Sequence, residues 1–266
     1  MLSRSTLPIL ALLLSMGCSD GSSSDLGALT VPDPEQALAV AATTQTTAAT
    51  SALALEACLN QVDPANFAAV PAPPTTSATG GLTSGTVTLD FGAGTTVNNA
   101  TYSGVVNATY SVTGTSLSIQ LDLDGLSIQT SAAGAVSASG ALSITANLSG
   151  TTTANATVNG TATYSDGTTT VTATPNLTVG IDATARSATL NGDLSVNHSL
   201  FGTWDARFQN VLARTDSSGA RSIDAGVLSL DRASFLPLDA DFTFTAPNSG
   251  TLSIGGALSL STSFTL

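Results

Sequence analysis

Residues Ser116–Gly125 read "SLSIQLDLDG", and the alternation in that stretch decides the fold class. Leu117, Ile119, Leu121 and Leu123 fall on one side of an extended chain, with Ser116, Ser118, Gln120, Asp122 and Asp124 on the other, because successive side chains of a strand point to opposite faces. A helical backbone would scatter the four aliphatics around its axis. The stretch therefore predicts a half-buried strand. The same period of two returns downstream in "ALSITANL" (141–148), "NLTVGID" (176–182), "TLNGDLSV" (189–196), "DADFTFT" (239–245) and "TLSIGGALSLSTSF" (251–264). Threonine fills many polar positions, since a β-branched residue favours extended backbone and tolerates water.

Glycine recurs about every ten residues through this region, as expected for short strands joined by tight turns or long strands interrupted by bulges. Asn159-Gly160 and Asp166-Gly167 are dipeptides that type I′ hairpin turns favour. The expected fold is mainly β: a large antiparallel, curled meander sheet over residues 84–266, either a sandwich or an open half-barrel, with an N-terminal helical segment. A parallel β-solenoid with coils of about 20 residues is the alternative, and the Thr- and Ser-rich repeats resemble bacterial adhesin solenoids.

Upstream the period changes. In "VPDPEQAL" (31–38), Asp33 is placed to cap a helix, Pro34 suits the first helical position and Gln36 completes a capping box. Leu38, Ala41, Ala42, Ala49, Ala52, Leu55, Cys58, Leu59 and Val62 follow a spacing of three and four, which predicts a helical segment over 34–63. Its centre, "TTQTTAAT" (43–50), forms helix poorly, so two shorter helices or a frayed middle are expected. Residues 64–83 hold four prolines and two adjacent glycines and read as a linker.

Residues 1–17 combine Arg4 with the apolar run "LPILALLL" (7–14), too short to span a bilayer and suited to a signal peptide. Residues 18–33, beginning "CSDGSSSDLG", form a small, polar, flexible tether. Gly17-Cys18 resembles the lipobox of bacterial lipoproteins, whose usual pattern is Leu, a small residue, Gly or Ala, then Cys. Ser15 stands where Leu is usual and Met16 where a small residue is usual, with Leu14 one place away. The resemblance implies lipidation of Cys18 as the mature N-terminus, and Ser19 resembles the outer-membrane sorting class of Gram-negative bacteria. An ordinary secreted protein is the alternative.

A second resemblance spans Gly85 to Val112, "GTVTLDFGAGTTVNNATYSGVVNATYSV". It is similar to a module of envelope lipoproteins in Bacteroidetes and related bacteria, where a strand ends in "DFG-x-G-C" and an "SG" bulge precedes the next strand. Asp90, Phe91, Gly92, Gly94, Ser103 and Gly104 match, while Thr95 replaces the usual cysteine. The resemblance implies that a bridge from that position to one such as Cys58 has been lost here. Cys58 reads either as a small buried apolar residue on the helix or as a reactive thiol.

Composition narrows the partners. Charged residues are 9% of the chain, Lys and Arg together number six and the net charge is −12, so a nucleic-acid backbone would meet few cations. Hydrolase triads need an imidazole, and His198 is the chain's single histidine, set in "SVNHSLFGTWD" where a strand end or turn is expected. Asp122 with Asp124 and Asp239 with Asp241 alternate, and two such pairs are weak calcium candidates; the simpler expectation is solvated carboxylates on a sheet face. Phe201, Trp204 and Phe208 cluster in "LFGTWDARFQNV" and form either a core plug or an apolar floor for sugar or acyl-chain binding. No cofactor is expected.

The functional expectation is a lipid-anchored cell-envelope protein, on the outer membrane, acting as a non-catalytic structural or binding module. Its partners would be the membrane, through the anchor, and an envelope protein, glycan or lipid. A lipid or amphiphile carrier using the aliphatic face of a curved sheet is the second reading, an adhesin-like solenoid and a transmembrane barrel the next.

Overall fold

The computed structural model describes residues 34–67, 74–97, 100–130, 134–148, 152–200, 202–215, 221–232, 239–246, 249–255 and 260–265. Expectations for the signal peptide, the tether, Cys18 and Phe201 lie outside them. Among the described residues one helix, α1 (Pro34–Val62), precedes sixteen strands. The first seven are β1 (Thr75–Gly80), β2 (Ser84–Asp90), β3 (Thr95–Val97), β4 (Ala100–Ser103), β5 (Val105–Thr113), β6 (Ser116–Asp122) and β7 (Ser127–Thr130). Longer strands follow: β8 (Gly134–Leu148), β9 (Thr153–Ser165), β10 (Thr170–Asp182), β11 (Ser187–His198), β12 (Gly202–Thr215) and β13 (Arg221–Arg232). The last are β14 (Asp239–Ala246), β15 (Ser249–Gly255) and β16 (Leu260–Thr265).

These sixteen strands belong to one antiparallel sheet whose main path is β1-β2-β5-β6-β8-β9-β10-β11-β12-β13-β14-β15-β16, with β3, β4 and β7 forming a side branch that joins β8; among the described residues the sheet is a curled meander left unclosed at its β1 and β16 edges. Stacked parallel coils are excluded, because hairpin after hairpin pairs antiparallel in register. A transmembrane barrel needs a closed sheet with an apolar exterior; here the edges are unpaired and the outward residues of β5, β6 and β9 are mostly exposed Thr, Ser, Asn, Gln and Asp. Among the described residues no helix is long and apolar enough to cross a membrane.

The opening stretch forms β6, where Leu117, Ile119 and Leu121, with Leu123 just beyond, are fully buried. β8 is long enough to serve two partners: Gly134–Ser137 pairs β7, and Ala141–Asn147 pairs β6. The "DFG" segment closes a corner at this branch. Asp90 Oδ1 accepts the Gly92 N–H at 2.8 Å, Phe91 stacks on Tyr102 with centroids 5.4 Å apart, and Gly104 is bonded on both sides: its carbonyl accepts the Phe91 N–H at 2.9 Å and its N–H donates to the Gly92 carbonyl at 3.1 Å.

Three local expectations need correction. Residues 64–83 are not all linker, because Thr75–Gly80 pairs with Gly85–Asp90 as the sheet's edge strand β1. Asn159-Gly160 is not a hairpin turn: β9 runs straight through it, and Gly160 at φ 123° marks an irregularity where a Cβ would sit 2.5 Å from the Ala141 carbonyl oxygen. Asp166-Gly167 does turn the β9–β10 hairpin, with Gly167 at φ 89°. Asp166 stays outside the left-handed region and accepts the Thr168 and Thr169 N–H groups instead, so the turn is not type I′.

The helix is also continuous where two pieces or fraying were expected. Thr47, Thr50 and Ser51 hydroxyls donate to carbonyls one turn back at 2.7–2.9 Å, which satisfies them inside a buried layer. Ala52, Leu55, Cys58 and Leu59 are buried as their spacing predicts, and α1 packs against β2, β5, β6 and β8–β11. Helix and sheet thereby share one continuous core that extends to Leu228, Leu230 and Phe244.

Candidate functional site

The inner face of a sheet that curls over its own helix should be apolar throughout, so polar groups found there are the informative ones. Two groups stand out. The first is a hydroxyl seam between helix and sheet: Thr43, Thr46, Thr47, Thr50 and Ser51 are buried, Thr47 bonds Tyr164 at 2.8 Å and Thr46 bonds Tyr102. Burial pushes the Tyr102 phenol up to about 12 and the Tyr164 phenol above its usual range. Both stay protonated, and the seam is structural glue.

The second lies at one end of the long strands. Register sets Trp204 of β12 opposite Val196 of β11 on one side and Arg232 of β13 on the other. Trp204, Ala206 and Phe208 alternate inward and are each 1% exposed, so this strand face forms part of the core. The Arg232 guanidinium lies over the indole, 5.4 Å from its centroid, within cation–π range. The Trp204 indole N–H is buried with no hydrogen-bond partner.

His198 ends β11 on the same face, two residues beyond Val196, and is 4% exposed. Its Nδ1 accepts the Leu200 N–H at 3.2 Å, so a neutral ring carries its proton on Nε2. Burial lowers the imidazole pKa, and the Asp166 carboxylate of the neighbouring hairpin partly opposes that. A ring held neutral by burial and occupied at Nδ1 by a backbone amide is a strand-end support.

The paired aspartates do other work. Asp124 sits in the turn after β6 rather than on the strand; Asp122 Oδ1 accepts its N–H at 3.0 Å, and Asp124 Oδ1 accepts the Gly140 N–H at 3.1 Å. Asp241 is exposed and lies opposite Ser229 and Ser253, while Asp239 lies opposite Asp231 and Gly255. Among the described residues no group of three or more His, Cys, Asp or Glu is placed to hold a metal ion. Cys58 is a free, buried thiol that burial pushes up to about 12, the inert state expected of a small core residue.

Arg232 is the residue that sequence reading passed over. The signal was present: in "GVLSLDR" (226–232) it continues the inward positions of Leu228 and Leu230. A cation where an aliphatic is due marks a place worth inspecting. No known protein family matches the chain, and no curated protein or solved structure matches it either.

Proposed function

We propose that the chain is a lipid-anchored, non-catalytic binding module of the bacterial cell envelope, held at the outer membrane by acylation of Cys18. The observation that carries the module half is that α1 occupies the apolar face of the sheet from β2 to β11, so the scaffold is self-contained and its hydroxyl- and amide-bearing outer face stays in water. The lipobox-like Gly17-Cys18, the apolar run before it and the polar spacer after it support the anchor. A carrier that enclosed an acyl chain along the same face would have to displace Leu55, Cys58 and Leu59, which already fill it.

Two or three acyl chains hold a protein on a membrane where one barely does, at roughly 0.8 kcal/mol per buried methylene. Metabolic labelling with an alkyne fatty acid tests the anchor. Wild type should carry the label and sediment with outer membranes, and Cys18→Ala should lose both properties. A mature N-terminus at another residue, without acyl groups, would refute the anchor.

A further inference from the structure

We propose that the open edge of β1 is a self-association surface, where a second copy of this chain adds its own β1 antiparallel and continues the sheet across a two-fold axis. This goes beyond the binding-module reading and does not depend on it. β1 ends the sheet among the described residues, and it pairs with β2 in unbroken register from Thr75 opposite Asp90 to Gly80 opposite Gly85. All of its residues are exposed, although Thr76 and Ala78 lie beside the buried Leu89 and Val87. The strand therefore adds almost nothing to the core.

It is nonetheless clamped at both ends. At the turn the Gly81 N–H donates to the Ser84 carbonyl at 2.9 Å, and the buried Tyr110 of β5 donates its hydroxyl to the Gly81 carbonyl. A Cβ at Gly85 would collide with that phenol oxygen, so glycine there opens the path. At the other end the Thr75 hydroxyl donates to the Asp90 carbonyl at 3.3 Å. A strand held in place without burying a side chain is a preorganised template, and preorganisation lowers the entropy lost on pairing.

Hydrogen-bond parity sets the register. The Gly81–Ser84 bond assigns Thr75, Ser77 and Thr79 to β2, which turns the N–H and C=O groups of Thr76, Ala78 and Gly80 toward the open edge. A two-fold antiparallel pair that uses all three residues places Ala78 opposite Ala78 of the partner subunit and Thr76 opposite the partner's Gly80. Centring on Ser77 would instead set Gly80 against the partner's Pro74, which has no N–H to donate. On the outer face Ser77 then meets the partner's Thr79, a favourable hydroxyl pair across strands.

Charge makes this edge the place where a copy can approach. The chain carries a net charge of −12, which sets copies against each other over a charged surface. β1 has no charged residue, no proline within it and no register shift, the devices that usually keep edges apart. The carboxylate in register with it, Asp90, lies opposite Thr75, and antiparallel pairing sends the two copies' Asp90 side chains to opposite ends. A two-fold pair also closes on itself and leaves no growing β1 edge.

Ala78 sits on the proposed axis, so changes there test pairing and register together. Sedimentation equilibrium of the full-length chain in detergent, with the anchor common to every variant, should show a dimer for wild type. Ala78→Lys and Ala78→Glu each set like charges face to face and should weaken association roughly tenfold or more, and an equal mixture of the two should recover the dimer. A monomeric wild type, an Ala78→Lys chain that dimerises as wild type does, a mixture that associates no better than either variant alone, or open polymers in place of a dimer would overturn the proposal. If the charged variants fail to fold by circular dichroism, Ala78→Cys takes their place. Directly opposed strand residues lie within disulfide reach, so mild oxidation should join two chains at residue 78, and absence of that cross-link is equally fatal. Failure here leaves the labelling of Cys18 unaffected, so loss of the dimer and loss of the anchor are told apart.

Discussion

Replacing Thr47 by Val and Tyr164 by Phe, singly and together, tests whether the helix is locked to the sheet by the hydroxyl seam. Thr47 has one hydroxyl proton and donates it to the Thr43 carbonyl at 2.9 Å. Tyr164 must therefore be the donor in the 2.8 Å contact between the two side chains. The single changes are then unequal. Tyr164→Phe removes a donor and leaves Thr47 still bonded to Thr43, at a cost of about 1 kcal/mol, the net worth of a typical hydrogen bond. Thr47→Val leaves the Tyr164 hydroxyl, on a side chain 3% exposed, without its acceptor, which costs about 1–3 kcal/mol. In the double variant no orphan remains, so it should be more stable than Thr47→Val alone. Urea unfolding followed by circular dichroism and Trp204 emission measures all three. Costs that simply add in the double variant would refute the seam, because independent sites add and coupled ones do not.

Cys58 should resist iodoacetamide in the folded protein and react on unfolding, as peptide mapping would show. With its folded pKa raised from 9.0 to about 12, the unfolded thiol ionises first, so this group's contribution to stability falls as pH rises from about 9 to about 12; Cys58→Ala should flatten that decline. Burial lowers the His198 pKa, so the unfolded ring binds a proton first as pH falls; stability should drop as pH goes below about 6.5, and His198→Gln should reduce the drop. Gly160→Ala should destabilise by at least about 1–2 kcal/mol, since a left-handed φ opposes any Cβ and the Ala141 carbonyl occupies its place; a melting temperature equal to wild type would contradict this.

Most of the β architecture was legible because one buried face forces alternation. Leu117 to Leu123 gave strand and buried face together. Misreadings arose where local chemistry served a tertiary purpose. Threonines 43–50 look unfit for a helix until the tyrosines they meet are known. Asn159-Gly160 looks like a turn until β9 is seen to need a glycine where a neighbouring backbone comes close. The edge strand at 75–80 hides because its residues are exposed on both faces, which removes alternation altogether. Arg232 could have been found from its place in an aliphatic row. The unsatisfied indole beside it could not, since satisfaction depends on groups brought from elsewhere in the fold.

Hydrogen–deuterium exchange over residues 52–62 of α1 tests the account most directly, because everything rests on the helix being a permanent layer of the fold. If α1 closes the sheet, its amides exchange only with global unfolding and share the protection of β6 and β8–β10. Rapid exchange of α1 while those strands stay protected would show a detachable helix over an open apolar face, and would contradict the reading of a self-contained binding module.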